Sequence, residues 1–203
     1  TEYEFRVYSY QRSGGSGGNS NYKTTGAPTE SGFTFSLVPG GHSTTFTATL
    51  NGDVDIDLAF DAANTIADAD GYVIYRRAGS AASLSGLDDG AAPPSTLGGT
   101  TTLVYTTDDT ETTYSDIGLD GGVTYHYVLV PFNFNGTDDE THSYLTDASE
   151  PRANAATNLI ISIAPISGGG TNIATDPLGS GTSDQAILGF SITTNGPTTF
   201  NAL

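Results

Sequence analysis

The sequence predicts an all-β protein made of β-sandwiches joined in tandem. Glycine accounts for 26 of 203 residues and hydrophobic residues for 36%, a profile typical of short strands joined by many turns. Several segments alternate apolar and polar residues, as half-buried strands do. No apolar run approaches the roughly 18 residues of a membrane-spanning helix, so we expect no insertion into a membrane.

The clearest strand follows the glycine-rich turn at 118–122. Gly121 and Gly122 supply the turn, because glycine adopts positive φ without steric cost. From Tyr125 to Val130, tyrosine and leucine alternate with histidine and valine. Both faces are therefore largely apolar, which is expected of a central strand in a two-sheet sandwich.

The start of the chain repeats this strand. Shifting residues 1–31 by 122 positions superimposes aromatic and aliphatic residues without a gap: Tyr3 on Tyr125, Phe5 on Tyr127, Val7 on Leu129, Tyr10 on Phe132 and Tyr22 on Tyr144. Residues 1–31 are thus predicted to be the C-terminal strands of a truncated domain. A lone hairpin is marginal in water, so preceding residues of a longer polypeptide or strands of another chain are expected to complete it.

Residues 32–152 are predicted to form one complete domain. Seven strands are expected in it, near 43–50, 53–60, 71–77, 101–105, 112–119, 125–130 and 143–146. Seven short strands with turns every 8 to 12 residues are the signature of an immunoglobulin-like sandwich. The segment 78–100 is predicted to be a long loop that is either functional or mobile.

Residues 153–203 do not match the repeat. Strands are predicted at 158–163, 185–192 and 198–203, with a hairpin turn at Asn195-Gly196. We interpret this segment as the N-terminal part of a further β-sandwich domain.

Two segments carry a resemblance to a known family. Gly71-Tyr-Val-Ile-Tyr-Arg-Arg77 resembles the third strand of fibronectin type III domains. Ile117 to Tyr125, followed by Tyr127, Leu129 and Phe132-Asn133, resembles that family's loop and sixth strand. Tyr125 matches the tyrosine corner, whose hydroxyl ties back to the preceding loop; the usual Trp of the second strand is absent, and Phe60 lies near its place. Together with the acidic loop before Gly71, the chain is similar to fibronectin-like repeats of large secreted surface and adhesin proteins of Bacteroidetes-type bacteria. The resemblance implies an extracellular, cell-surface location.

The charge balance restricts the partners. Six basic residues face 23 acidic ones, for a net charge of -17. Such a surface repels phosphate backbones and anionic headgroups, so nucleic acid and bare membrane are not expected partners. The chain has no cysteine, which excludes disulfides and thiolate metal sites.

A calcium site is the one cofactor hypothesis. In a sandwich of this topology, loops 61–70 and 133–142 lie at the same pole, which also receives the preceding domain. Their carboxylates are candidate Ca²⁺ ligands, since Ca²⁺ takes six to eight oxygens: Asp61, Asp68, Asp70, Asp138, Asp139 and Glu140. The alternative is an acidic surface without bound metal. Asp53, Asp55 and Asp57 are expected to point to solvent from one strand face.

Other candidate sites have simpler interpretations. His42, His126 and His142 are isolated in sequence, and no Gly-x-Ser-x-Gly elbow is present, so we expect no catalysis. Exposed aromatics at four positions are a candidate glycan platform, with core packing as the alternative: Tyr72, Tyr75, Phe132 and Phe134.

The function predicted is structural: a stalk or adhesive segment of a multidomain extracellular surface protein. Its expected partners are neighbouring domains or protomers, and surface glycans or proteins. One alternative is an accessory carbohydrate-binding or spacer module of a secreted polysaccharide-degrading enzyme. Another is a filament subunit completed by strands of a neighbouring chain.

Overall fold

The computed structural model describes residues 1–12, 20–66, 68–165 and 190–197. Its described elements are mostly antiparallel strands, as predicted. In chain order they are β1 (Glu2–Arg6), β2 (Ser9–Arg12), β3 (Ser20–Lys23), β4 (Thr29–Phe33), β5 (Phe46–Asn51), β6 (Asp55–Phe60), α1 (Ala63–Ile66), β7 (Gly71–Ala78), β8 (Thr96–Leu97), β9 (Thr101–Thr106), β10 (Thr113–Asp116), β11 (Thr124–Asn133), β12 (Ser143–Tyr144), β13 (Arg152–Ala156), β14 (Ile161–Pro165) and β15 (Phe190–Thr194). Short 3-10 turns span Gly98–Thr100 and Asp139–Thr141.

The first four strands form an irregular two-stranded hairpin. β1 pairs with β4 and β2 with β3, both antiparallel. A backbone hydrogen bond from Val7 N to Pro28 O, 3.2 Å long, connects the two pairs. β4 continues to Phe33, slightly past the predicted boundary at residue 31.

The central part of the chain forms two sheets that face each other. The smaller sheet has the order β10-β6-β5, and the larger one the order β12-β11-β7-β9-β8, with β13 also paired to β11. The strands predicted between residues 43 and 146 are confirmed as β5, β6, β7, β9, β10, β11 and β12. The predicted loop after β6 contains the single-turn helix α1, which the sequence analysis did not anticipate.

The core between the sheets is built from alternating residues. Ile56, Leu58 and Phe60 of β6 are at most 4% exposed, as the alternation predicts. They meet the inward residues of β7 and β11 in one buried cluster that includes Tyr72, Ile74, Tyr125, Tyr127 and Leu129. Burial of these side chains is the main stabilising contribution, on the order of 1.5–3 kcal/mol for each.

A second core covers the other face of the large sheet. The segment 79–100, predicted as a loop, folds over this face and buries Ala82, Leu87 and Leu97. Their partners are outward residues of β7, β11 and β12: Val73, Tyr75, Val128, Val130, Phe132 and Tyr144. The hydroxyls of Tyr75 and Tyr144 donate to the carbonyls of Pro94 (3.0 Å) and Ala91 (2.9 Å). Segment 79–100 therefore serves as a packed layer of the fold.

Two strands share the edge of β11. β12 pairs with its C-terminal end and β13 with its N-terminal half, so the edge strand is interrupted between Leu145 and Pro151. The sheet therefore continues past residue 152, where the sequence analysis ended the domain. β13 reads Arg-Ala-Asn-Ala-Ala, and alanine and asparagine have low strand propensity, which explains why the sequence did not reveal it.

The final described strands, β14 and β15, form an antiparallel pair. β14 begins at Ile161, within the strand predicted at 158–163, and β15 overlaps the end of the strand predicted at 185–192. The rest of that predicted strand and the one predicted at 198–203 lie outside the described residues.

Candidate functional site

The predicted candidate carboxylates occupy one pole of the central sandwich. Asp70 N donates to Phe132 O (3.0 Å), and Phe134 N donates to a carboxylate oxygen of Asp70 (2.9 Å). The loops before β7 and after β11 are therefore adjacent, as the sequence analysis expected. The linker after β4 reaches the same pole, where Ser36 N donates to Thr141 O (2.8 Å).

Asp61 fixes the chain that enters β5. One of its carboxylate oxygens accepts from Thr44 N (2.9 Å), Thr44 Oγ1 (2.8 Å), Thr45 N (2.9 Å) and Ser43 Oγ (3.2 Å). The hydrogen bond from the Thr44 hydroxyl is the first cause that lowers the pKa of Asp61, to about 2. N–H and O–H donors occupy the lone pairs of this oxygen that a bound cation would need.

The other candidate ligands do not converge with it. Asp138 accepts from Asn135 Nδ2 (2.7 Å) and Thr137 Oγ1 (3.0 Å), and so closes its own turn. Asp68, Asp139 and Glu140 are exposed, or half-buried at most, in the same loops. Among the described residues, no three His, Asp or Glu side chains are grouped so that they could hold a metal ion. Calcium binding remains a prediction.

The strand-face aspartates connect strands. Asp57 accepts from Ser115 Oγ (2.7 Å) and Asn51 Nδ2 (3.0 Å), and Asp55 accepts from Gly118 N (2.8 Å). Both lie on the face of β6 that turns away from the buried Ile56 and Leu58, as predicted, although their neighbours leave them half-buried. Their role in the fold is to join β6 to the ends of its neighbours.

The three histidines lie on three different segments of the chain. His126 lies in β11, as predicted. His42 Nε2 lies 2.9 Å from a carboxylate oxygen of Asp147, and this hydrogen bond lowers the pKa of Asp147. His142, predicted to be a loop residue, is 4% exposed and stacks on Phe134, with ring centroids 4.5 Å apart. His142 therefore contributes to the packing of this pole through its burial and its stacking on Phe134.

The proposed glycan platform does not exist as an exposed surface. Tyr72 and Tyr75 are 0% exposed and Phe132 is 5% exposed, while Phe134 is half-buried against the outer core. Burial raises the pKa of Tyr72 and of Tyr75 to about 12. Tyr72 and Tyr75 lie on opposite faces of β7, and each face is covered by one of the two cores.

One buried ion pair lies inside the sandwich. Arg76 Nη1 is 2.7 Å from both carboxylate oxygens of Asp116, and Tyr127 Oη donates to Asp116 Oδ2 (2.9 Å). The guanidinium also lies 5.2 Å from the centre of the Tyr125 ring. Arg76 lies in β7 of the larger sheet and Asp116 in β10 of the smaller one, so this network joins the two sheets.

Tyr125 itself forms the predicted corner. Its hydroxyl oxygen accepts from Asp120 N at 3.1 Å, five residues back along the chain. The contact ties the turn at 118–122 to the strand that follows it.

Hydrogen bonds also connect the sandwich to the segments before and after it. We call the first of these the N-terminal joint: linker residues 34–42 with loops 89–91 and 133–147. Asn133 Nδ2 donates to Leu37 O (2.9 Å), while Asn133 Oδ1 accepts from Asp70 N (2.8 Å). The Phe35 ring lies against Gly90, where an added Cβ would be 2.9 Å from Phe35 Cε1.

The second contact is the C-terminal joint: residues 157–161 and 195–196 with the turns at 53 and 120–123. Asn158 N donates to Asp53 O (2.8 Å). Asn195 Oδ1 accepts from Ile160 N (2.7 Å), and Gly121 N donates to Asn195 O (2.7 Å). The sequence marks Asn195-Gly196 as a turn, Asn133 as part of a strand and Asn158 as the start of one, and nothing in it indicates the hydrogen bonds that these residues form between segments.

Comparison with known proteins adds no further assignment: no protein-family model matches the chain, and neither a curated protein nor a solved structure matches it. In the described part of the chain, no helix is long and apolar enough to cross a membrane.

Proposed function

We propose that the chain is a structural segment of a multidomain extracellular bacterial surface protein, a stalk or an adhesin, and that it performs no catalysis. Its units are tandem immunoglobulin-like sandwiches of the fibronectin type III kind. The observation that carries the proposal is that both poles of the central sandwich are hydrogen-bonded to the segments that precede and follow it.

The strand order supports the fold part of this proposal. In chain order, β5, β6 and β10 share one sheet, while β7, β9, β11 and the edge strands β12 and β13 share the other. Fibronectin-like sandwiches divide their strands in the same manner, and the corner at Tyr125 is a further shared feature.

The joints support the mechanical part. Residues 34–45 connect β4 to β5, and a free linker of that length would let its ends move over roughly 20 Å. Hydrogen bonds from Ser36 and Asn133, together with the seating of Phe35 on Gly90, remove most of that freedom. A chain of units connected in this way transmits force and keeps its length.

Distance measurements between spin labels test this proposal. The chain has no cysteine, so Ser31→Cys and Thr113→Cys place one label on the hairpin and one on the sandwich. We expect a narrow distance distribution that broadens in the Asn133→Ala variant. The matched control is Asn154→Ala, an exposed asparagine in β13 away from the N-terminal joint.

A broad distribution in the parent chain, extending over the roughly 20 Å allowed to a free linker, would refute the stiff-segment proposal. Equal broadening by Asn133→Ala and Asn154→Ala would show that the joint is not where the stiffness arises.

A further inference from the structure

The N-terminal hairpin exposes the side chains that a folded unit buries. Six large apolar or aromatic residues are between 41% and 69% exposed: Tyr3, Phe5, Val7, Tyr8, Tyr10 and Tyr22. Single exposed apolar residues are normal on protein surfaces, but a contiguous set on one small hairpin indicates an interaction surface.

The central sandwich contains the same hairpin in a covered form. Tyr10 pairs with Tyr22 across β2 and β3, and the residues 122 positions later, Phe132 and Tyr144, pair across β11 and β12. Glu2–Arg6 pairs with Thr29–Phe33, and the corresponding β11 residues pair with β13 in a register that differs by one residue. The internal repeat is therefore present in the strand pairing as well as in the sequence.

The covered copy shows what the exposed copy lacks. Tyr125, Tyr127 and Leu129 are at most 5% exposed, whereas Tyr3 and Phe5 at the equivalent positions are 50% and 62% exposed. Two things bury the central copy: β7 pairs along the open edge of β11, and the smaller sheet and segment 79–100 cover its two faces. The corresponding edge of β1 and β2 has no strand beside it among the described residues.

We propose that the open edge of β1 and β2 is a docking surface for a strand of the β7 type, donated by another unit of the same repeat. The pairing of β11 with β7 defines the register. Val7 lies opposite the counterpart of Ile74, and Glu4 opposite the counterpart of Arg77. His126 occupies the position of Glu4 in the central copy, so the hairpin adds an acid–base pair to the same register.

The charge of the hairpin fits such a partner. Residues 1–33 contain three acidic and three basic residues, Glu2, Glu4, Glu30, Arg6, Arg12 and Lys23, in a chain whose net charge is -17. All the net negative charge therefore lies outside the hairpin. The hairpin can approach another acidic unit without the repulsion that the rest of the surface would impose.

Other occupants fit the surface less well. Apolar residues project from both faces of the hairpin, with Phe5 on one and Tyr10 on the other, so a complete cover needs two layers. A second hairpin or a sugar ring stacked on one face covers only one of them. A half-unit equivalent to β5 through β10, with its segment 79–100, supplies both layers and the missing strand.

Grafting a copy of residues 43–122 directly in front of Thr1 of the full chain tests the proposal. By the 122-residue offset, Thr1 is the counterpart of Val123, so the graft restores the unit with no added linker.

Val7 N donates to Pro28 O inside the hairpin, so the alternate N–H groups of Glu4 and Arg6 point to the open edge. We expect the amide hydrogens of Glu4 and Arg6 to gain roughly a hundredfold protection from exchange, because they become hydrogen-bonded within a cooperative unit. A second thermal transition is expected to accompany this gain.

The matched control is the same graft with Ile74→Asp in the grafted copy alone. It is expected to leave the Glu4 and Arg6 amides unprotected, while the original sandwich reports intact folding through Tyr127 and Leu129. Unprotected Glu4 and Arg6 amides in the unmodified graft would overturn the proposal.

Two results on the unmodified chain would also overturn it. Protection of the Glu4 and Arg6 amides that appears with concentration-dependent dimers would make a second copy the occupant. Selective shifts of the Tyr10 and Tyr22 signals with soluble oligosaccharide would make a glycan the occupant. This proposal rests on the internal repeat in the proposed function but not on the stiffness of the joints. Spin-label distances can therefore refute the stiff segment without affecting the docking surface, and amide protection can refute the docking surface without affecting the stiff segment.

Discussion

Replacing Asp61 by asparagine tests how much one carboxylate stabilises the segment that leads into β5. Its oxygen accepts four hydrogen bonds, two of them from the backbone N–H groups of Thr44 and Thr45. Hydrogen bonds to a charged acceptor contribute about 1 kcal/mol more than neutral ones, and partial exposure reduces that difference. We therefore expect Asp61→Asn to lower the free energy of unfolding by about 1.5 kcal/mol at pH 7, which corresponds to a fall in Tm of about 5 °C.

The pH dependence gives this prediction a second readout. The pKa of Asp61 is lowered from 3.8 to about 2 in the folded chain, so its stabilisation is present above pH 3.8 and is lost as the pH falls towards 2. The Tm difference between the parent chain and Asp61→Asn should accordingly shrink across that window. The control is Asp88→Asn, since Asp88 is exposed and has no hydrogen bond to the described part of the chain. Equal melting of the two variants at pH 7, or a difference that persists at the lowest pH where both fold, would refute this reasoning.

Two further predictions concern the pole of the sandwich. Gly90→Ala should destabilise the chain by about 1–2 kcal/mol and loosen the N-terminal joint, because Gly90 has φ +84° and a Cβ would lie 2.9 Å from the Phe35 ring. Gly118→Ala is its control, with φ +70° and no atom near the added Cβ; equal denaturation midpoints would contradict the role of Phe35. Adding EDTA should leave Tm unchanged, because the carboxylates of Asp70 and Asp138 already accept hydrogen bonds; a Tm that rises with added Ca²⁺ would instead support the calcium site.

Period-two alternation was enough to predict the inner core. It assigned Ile56, Leu58 and Phe60 to one face of β6, and these residues are buried. The corner at Tyr125 was expected from the resemblance to fibronectin type III domains, and its hydroxyl does accept a hydrogen bond from Asp120 N. Strand alternation and tight turns can be predicted from sequence because they depend on residues that are close together along the chain.

The candidate site was less predictable, since it depends on contacts between distant segments. The sequence placed the acidic loops at one pole, but not the hydroxyl and amide donors of residues 43–45 that occupy Asp61. Those donors belong to residues 43–45, which the sequence pattern predicts only as the start of a strand. Nothing in the sequence around Asn133 indicates that its side chain bridges two loops, because one partner, Leu37, is almost 100 positions away.

The outer core follows from a signal that the sequence did contain. The apolarity of both faces of the strand at 125–130 was interpreted as a property of a central strand in a two-sheet sandwich, and that interpretation is wrong. A two-sheet sandwich leaves the outer face of each sheet in water, so a strand there should alternate apolar and polar residues. β11 is apolar on both faces, so it requires a third layer, and segment 79–100 provides it. β2 is aromatic on the equivalent outer face through Tyr10, which pairs with Tyr22. Whatever unit completes the N-terminal hairpin must therefore carry a segment like 79–100, and one closed by strands alone would leave Tyr10 and Tyr22 in water.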